Sequence, residues 1–142
     1  MIQFGTSGWR GVIGREVTFR NVRLITRALC DTLAADGSEI NAIVIGYDTR
    51  MLSEKFARAA AELIASEDVP AALTGRDTAS PVVASAVLER GAAAGMVFTG
   101  SHNPPEYNGV KIFTADGILA STEMTDRIEA RVTELGTDFD DT

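Results

Sequence analysis

The sequence predicts an α/β protein, a three-layer α/β/α fold built around a mixed, mainly parallel sheet. Three observations predict it. Strand-length apolar runs alternate regularly with segments of helical period along the whole chain. Two of those runs, Ala42 to Tyr47 and Ala94 to Phe98, are apolar nearly throughout, as strands covered on both faces are. At 142 residues, with 45% hydrophobic and 23% charged side chains, the chain has the size and composition of one globular domain with its own core. Crossovers between parallel neighbours are expected to be right-handed.

The chain opens with Gln3-Phe4-Gly5-Thr6-Ser7-Gly8-Trp9-Arg10-Gly11. Read plainly, this is a glycine-rich turn after a short strand, with Trp9 as a core anchor and Arg10 as a solvated charge. The same residues also suit an anion-binding wall, because glycines let backbone N–H groups approach a ligand and the hydroxyls add donors beside Arg10. Thr18 then caps a helix whose Phe19, Val22, Ile25, Leu29 and Leu33 share one face before Gly37. The strand Ala42 to Tyr47 ends at Asp48-Thr49-Arg50. Ligands gather at such carboxyl ends, although a local Asp48–Arg50 ion pair that braces the loop is the simpler account of the two charges.

Ser53 is the expected cap of a second helix, with Phe56, Ala60, Leu63 and Ile64 inward, and Val69 to Leu73 reads as a short strand with Pro70 at its start or edge. Ser80-Pro81 matches an N-cap followed by proline at the first helical position, for a helix with Val82, Val83, Ala86, Val87 and Leu88 that ends at Gly91. After the strand Ala94 to Phe98 comes the polar loop Thr99 to Tyr107. Asn108-Gly109 carries a tight-turn signal, and Val110 to Phe113 resumes as a strand with Lys111 alternating out of its apolar side. Met124, Ile128, Val132 and Leu135 stripe a last helix capped at Ser121 or Thr122. The expected organisation is one domain over residues 1–136 and an acidic tail or interdomain linker over 137–142.

Composition narrows the functional classes. A net charge of −7 offers no footprint for nucleic acid or an anionic membrane, so any phosphate site must be a local concentration of cations. No apolar run nears the roughly 20 residues of a membrane span, and the first residues lack a signal peptide's pattern, so a cytoplasmic location is expected. Cys30, the single cysteine, falls within a helical apolar pattern and is expected to pack as a small hydrophobe.

The chemistry concentrates in Thr99-Gly100-Ser101-His102-Asn103-Pro104-Pro105, where two prolines stiffen a loop slung between strands. Ser101 does not sit on a nucleophile elbow, because Gly100 directly precedes it and Asn103 stands where that motif needs glycine. A Ser-His-Asp arrangement is disfavoured: His102, the chain's only histidine, is adjacent to Ser101, and neighbours in an extended loop point to opposite sides. A Walker loop is absent, and one histidine with one cysteine makes a zinc site a remote reading. Ser101 is left either as an ordinary loop hydroxyl or as a group that carries a phosphoryl group. The second role would draw on Arg10, His102 and Lys111 for charge.

Thr99 to Pro104 resembles the T-A-S-H-N-P active-serine motif of the α-D-phosphohexomutases, the phosphoglucomutase and phosphomannomutase superfamily. Phe4 to Gly11 is similar to that family's amino-terminal motif, Gly46 to Arg50 to its second strand end, and Asn108-Gly109-Val110-Lys111 to its N-G-x-K segment. The resemblance implies that Ser101 is phosphorylated in the resting enzyme, exchanges its phosphoryl group with a hexose phosphate through a bisphosphorylated sugar, and contributes a phosphoserine oxygen to a magnesium ion. It implies that a sugar bisphosphate activates the enzyme, that Arg10 and Lys111 polarise the transferring group and assist proton transfer, and that His102 contacts the phosphoryl group or the sugar. Thr6, Ser7 and Asn103 would line the same site. Gly100 departs from the family's usual alanine and is expected to loosen the loop. The family's later domains, with their aspartate-rich magnesium loop, have no counterpart in this sequence, so the chain resembles the first domain only and is expected to be inactive without the others. The alternative is a stand-alone sugar-phosphate or anion-binding module without catalysis.

Overall fold

A computed structural model describes residues 2–5, 8–37, 39–136 and 138–140. In chain order the elements are β1 (Trp9–Val12), α1 (Phe19–Ala35), β2 (Ile43–Tyr47), α2 (Ser53–Ser66), β3 (Ala71–Leu73), α3 (Ser80–Arg90), β4 (Ala94–Phe98), β5 (Tyr107–Thr114) and α4 (Thr122–Leu135). The five strands form one sheet in the order β1-β5-β4-β2-β3. The sheet is mixed, as expected, but evenly so: β2 pairs parallel with β3 and β4, whereas β4–β5 and β1–β5 are antiparallel. Connection length explains the reversal. Residues 99–106 between β4 and β5 are too few for the dozen or so that a parallel crossover needs.

The pleat sorts the core into two layers. Ile43, Ile45 and Tyr47 of β2, Ala94, Met96 and Phe98 of β4, and Val110 and Ile112 of β5 pack with the buried faces of α1, α2 and α4. Val44 and Val97 point the other way and meet Val83 and Val87 of α3, which completes the three layers. Two strand glycines let α3 settle close to the sheet: a Cβ at Gly46 would lie 2.5 Å from a Val83 methyl, and one at Gly95 2.7 Å from a Val87 methyl. Cys30 is 5% exposed, and burial first, then the nearby Glu67 and Asp31 charges, push its thiol up to about 12. A thiol reagent at pH 8 should therefore label the native protein only at the rate at which it opens, and rapid labelling in native buffer would contradict this packing.

Thr18 and Ser121 cap α1 and α4 as their spacing predicts, accepting hydrogen bonds from the N–H groups of Asn21 and Met124. Four local expectations are corrected. Ser53 is the first helical residue of α2 rather than its cap, because its hydroxyl donates to Asp48 Oδ1 at 2.6 Å; Leu52, at φ 66°, precedes it. The third helix starts one residue earlier than expected, at Ser80 with Ala79 before it. The first strand, Trp9–Val12, follows the glycine-rich segment instead of preceding it. Asn108-Gly109 is not a turn but lies inside β5. Asn108 is 0% exposed and hydrogen bonded, and a Cβ at Gly109 would sit 1.8 Å from the Trp9 carbonyl oxygen, so close strand approach, not chain reversal, demands the glycine.

Candidate active site

The carboxyl ends of β2 and β4 coincide, since Tyr47 pairs with Phe98. One row of backbone hydrogen bonds and pairings crosses the sheet there. Asp48 N–H donates to the Phe98 carbonyl at 3.0 Å, Thr99 N–H donates to the Gly109 carbonyl at 3.0 Å, and Gly109 lies opposite Arg10. Residues directly opposite in an antiparallel pair share a sheet face, so Arg10 projects from the same side as Gly109 and therefore as Lys111, two residues on. The loop bearing Ser101 springs from this end of the sheet. Arg10 is fixed in part by a 2.7 Å bond from Nη1 to its neighbour's carbonyl, that of Trp9.

Electrostatically the corner is cation-rich. Burial, then the neighbouring Arg50, lowers the Arg10 pKa, with Asp48 opposing; burial, then Arg10, lowers that of Lys111. Arg10 thus feels Arg50, and Lys111 feels Arg10, while the Asp48 carboxylate opposes the effect at Arg10. Mutual repulsion of this kind is relieved by an arriving anion, and a phosphoryl group with its spread negative charge fits it well.

Ser101 itself has φ 54°, in the left-handed region that residues with a side chain seldom occupy. Its N–H donates to Thr99 Oγ1 at 2.9 Å, Asn103 N–H to the Gly100 carbonyl at 3.0 Å, and Tyr107 N–H to the Pro104 carbonyl at 2.9 Å. His102 is exposed and Asn103 half-buried on the same loop. Thr6 and Ser7 lie outside the described residues. Gly100, expected to give the loop freedom, lies beneath a neighbouring side chain. The Arg50 guanidinium packs against it so closely that a Cβ would lie 2.6 Å from Cζ.

Arg50 is the residue whose reach the sequence concealed. Its ion pair with Asp48 is present at 3.6 Å, yet its two terminal nitrogens bridge to the Ser101 loop, a connection that sequence spacing could not reveal. Asn108 was equally hidden, its one local signal pointing to a turn.

The sequence matches the family described as phosphoglucomutase/phosphomannomutase, alpha/beta/alpha domain I, over residues 1–138. The chain belongs to that family. A phosphoglucomutase of Staphylococcus epidermidis is 34% identical to this phosphoglucomutase/phosphomannomutase domain over 142 residues, 95% of this chain and 25% of the relative. Among solved structures, a Thermus thermophilus protein assigned as a phosphomannomutase superposes with a TM-score of 0.87 at 39% identity, over 92% of this chain and 30% of its own. A phosphoglucomutase/phosphomannomutase family protein of Burkholderia thailandensis gives 0.78 at 27% identity, over 96% of this chain and 31% of its own. The chain spans about a quarter of the length of the curated relatives it matches. Among the described residues, no helix is long and apolar enough to cross a membrane.

Proposed function

We propose that Ser101 accepts and returns the phosphoryl group in a phosphohexomutase that interconverts hexose 1-phosphate and 6-phosphate, and that this chain supplies the nucleophile's half of the site. The observation that carries the reading is the juxtaposition of a serine held at φ 54° with the Arg10, Arg50 and Lys111 cluster at the carboxyl end of the sheet. Ser101 Oγ attacks the phosphorus of a hexose bisphosphate. An Oγ–P bond forms, the P–O bond to the sugar breaks, the serine proton is taken up by a base, and the released sugar oxygen gains a proton. Arg10 and Lys111 balance charge on the equatorial oxygens, and a Lys111 pKa below its ordinary value eases proton exchange. His102 and Asn103, on the same loop, and Thr6 and Ser7 serve as contacts to phosphoryl group or sugar.

A magnesium ion would add further charge neutralisation, but the donors present do not fit a metal site. Among the described residues no group of three or more histidine, cysteine or acidic side chains is placed to hold one. A phosphorylated Ser101 would offer one oxygen, and the remaining ligands would come from other domains, as would the second half of the sugar site. The isolated domain is therefore inactive as a mutase, while the reading puts it in the cytoplasm with a sugar bisphosphate as activator. In the full-length protein, Ser101→Ala should lower hexose phosphate interconversion on the order of 10³-fold or more while leaving thermal stability intact. Undiminished turnover would remove Ser101 from the reaction.

A further inference from the structure

We infer that Arg50 is a positioning residue for Ser101: its guanidinium gathers four carbonyl oxygens of the loop and holds the serine backbone in its left-handed conformation. The inference rests on the reading of Ser101 as the phosphoryl acceptor. Nη1 donates to the carbonyls of Pro104 at 2.7 Å and Tyr107 at 3.1 Å, and Nη2 to those of Ser101 and Asn103, both at 2.6 Å. Nε faces Asp48 Oδ2 at 3.6 Å, and the side chain is only 16% exposed. All four N–H bonds of the terminal nitrogens are thereby directed at backbone, so Arg50 acts as scaffold and leaves the phosphoryl group to Arg10 and Lys111.

Loop chemistry matches this grip. The carbonyls of Asn103 and Pro104 belong to peptides whose following residues, Pro104 and Pro105, have no N–H, so turning those oxygens toward Arg50 leaves no donor orphaned on the other side. A trans peptide sets C=O and N–H on opposite sides, so the His102 N–H is directed away from the guanidinium. Gly100 suits the fit, because the guanidinium lies against the backbone immediately before Ser101 and an added Cβ, 2.6 Å from Cζ, would oblige the end of the Arg50 side chain to shift.

Arg50 is in turn anchored from the sheet. Asp48 Oδ1 accepts from the Arg50 N–H at 3.0 Å and from Ser53 Oγ at 2.6 Å; Ser53 Oγ accepts from Asn108 Nδ2 at 2.8 Å. Asn108 Nδ2 also reaches the Met51 carbonyl at 3.2 Å, beside the left-handed Leu52. The buried Asn108 thus ties β5 to the turn after β2, and that turn delivers Arg50 to the loop. Buried polar networks of this completeness hold one geometry in preference to others.

The test uses the full-length protein with three variants, Arg50→Lys, Gly100→Ala and the double variant. Single-turnover transfer from glucose 1,6-bisphosphate to Ser101 is read together with amide hydrogen exchange. Arg50→Lys should lower the saturating transfer rate about tenfold to a hundredfold, with the half-saturating concentration little changed, since orientation and not binding is lost. The Asn103 and Tyr107 amides should exchange at least about tenfold faster while those of β2 and β4 do not change. Gly100→Ala, which obliges only the end of the Arg50 side chain to shift, should act in the same direction but by less than Arg50→Lys, and the double variant should be no worse than Arg50→Lys alone, because both act on one contact. An Arg50→Lys protein with unaltered transfer and unaltered loop exchange would overturn the inference, as would faster exchange spread evenly over the sheet. Failure of the wild-type protein to take up a phosphoryl group at all would instead defeat the reading of Ser101.

Discussion

Replacing Gly109 by alanine is expected to detach the first strand. The added Cβ would lie 1.8 Å from the Trp9 carbonyl oxygen, 2.8 Å from its carbonyl carbon and 3.0 Å from Arg10 Cα, all of them backbone atoms that no rotamer change can move. Relief comes only if β1 separates from β5, which sacrifices their paired hydrogen bonds and exposes Trp9, now 2% exposed. The cost should be about 3–5 kcal/mol, enough to consume much of a domain's stability. Chemical denaturation followed by the fluorescence of Trp9, the sole tryptophan, reads both the lowered midpoint and the wetter indole. Gly75→Ala is the control, since a Cβ there meets nothing within 4 Å, and it should stay within about 0.5 kcal/mol of wild type. An unchanged midpoint for Gly109→Ala would contradict the pairing of Arg10 with Gly109, and with it the delivery of Arg10 to the site.

Arg10→Met is expected to move activity and stability in opposite directions. Burial and the Arg50 charge both disfavour the folded guanidinium, with Asp48 in partial compensation, so removing the charge should leave thermal stability unchanged or slightly raised. Phosphoryl transfer to Ser101 should fall about 10²- to 10³-fold, the usual consequence of deleting a preorganised charge that meets developing negative charge. Thermal melts and single-turnover transfer on the same preparation give the two signs. A variant that is less stable and equally active would mark Arg10 as structural.

Much of this architecture was legible because periodicity reports burial. Ala94 to Phe98 reads as a two-sided strand and is one; Thr18 and Ser121 announce their helices by local capping chemistry that tertiary contacts do not override. The direction of β5 was legible in one feature alone, the brevity of the loop before it, which the reading of a mainly parallel sheet did not use. Asn108-Gly109 misled because a turn signal is local, whereas the glycine answers to the Trp9 backbone and the asparagine to Ser53, both far away in sequence. At Gly100, similarly, the missing side chain was visible, and the guanidinium that lies against it was not. The site shows one more asymmetry. The cations at Arg10 and Lys111 could be counted in the sequence, but the role of Arg50 depends on four carbonyl groups that carry no side-chain signature.

The decisive measurement is the position of the phosphoryl group after the full-length protein has met glucose 1,6-bisphosphate. Peptide mass spectrometry should find a single covalent phosphoryl group on Ser101, and none in the Ser101→Ala protein. A phosphoryl group on Ser7 or another hydroxyl, or reversible sugar-phosphate binding with no covalent product, would contradict a nucleophilic Ser101 and leave the cationic corner as an anion-binding site alone.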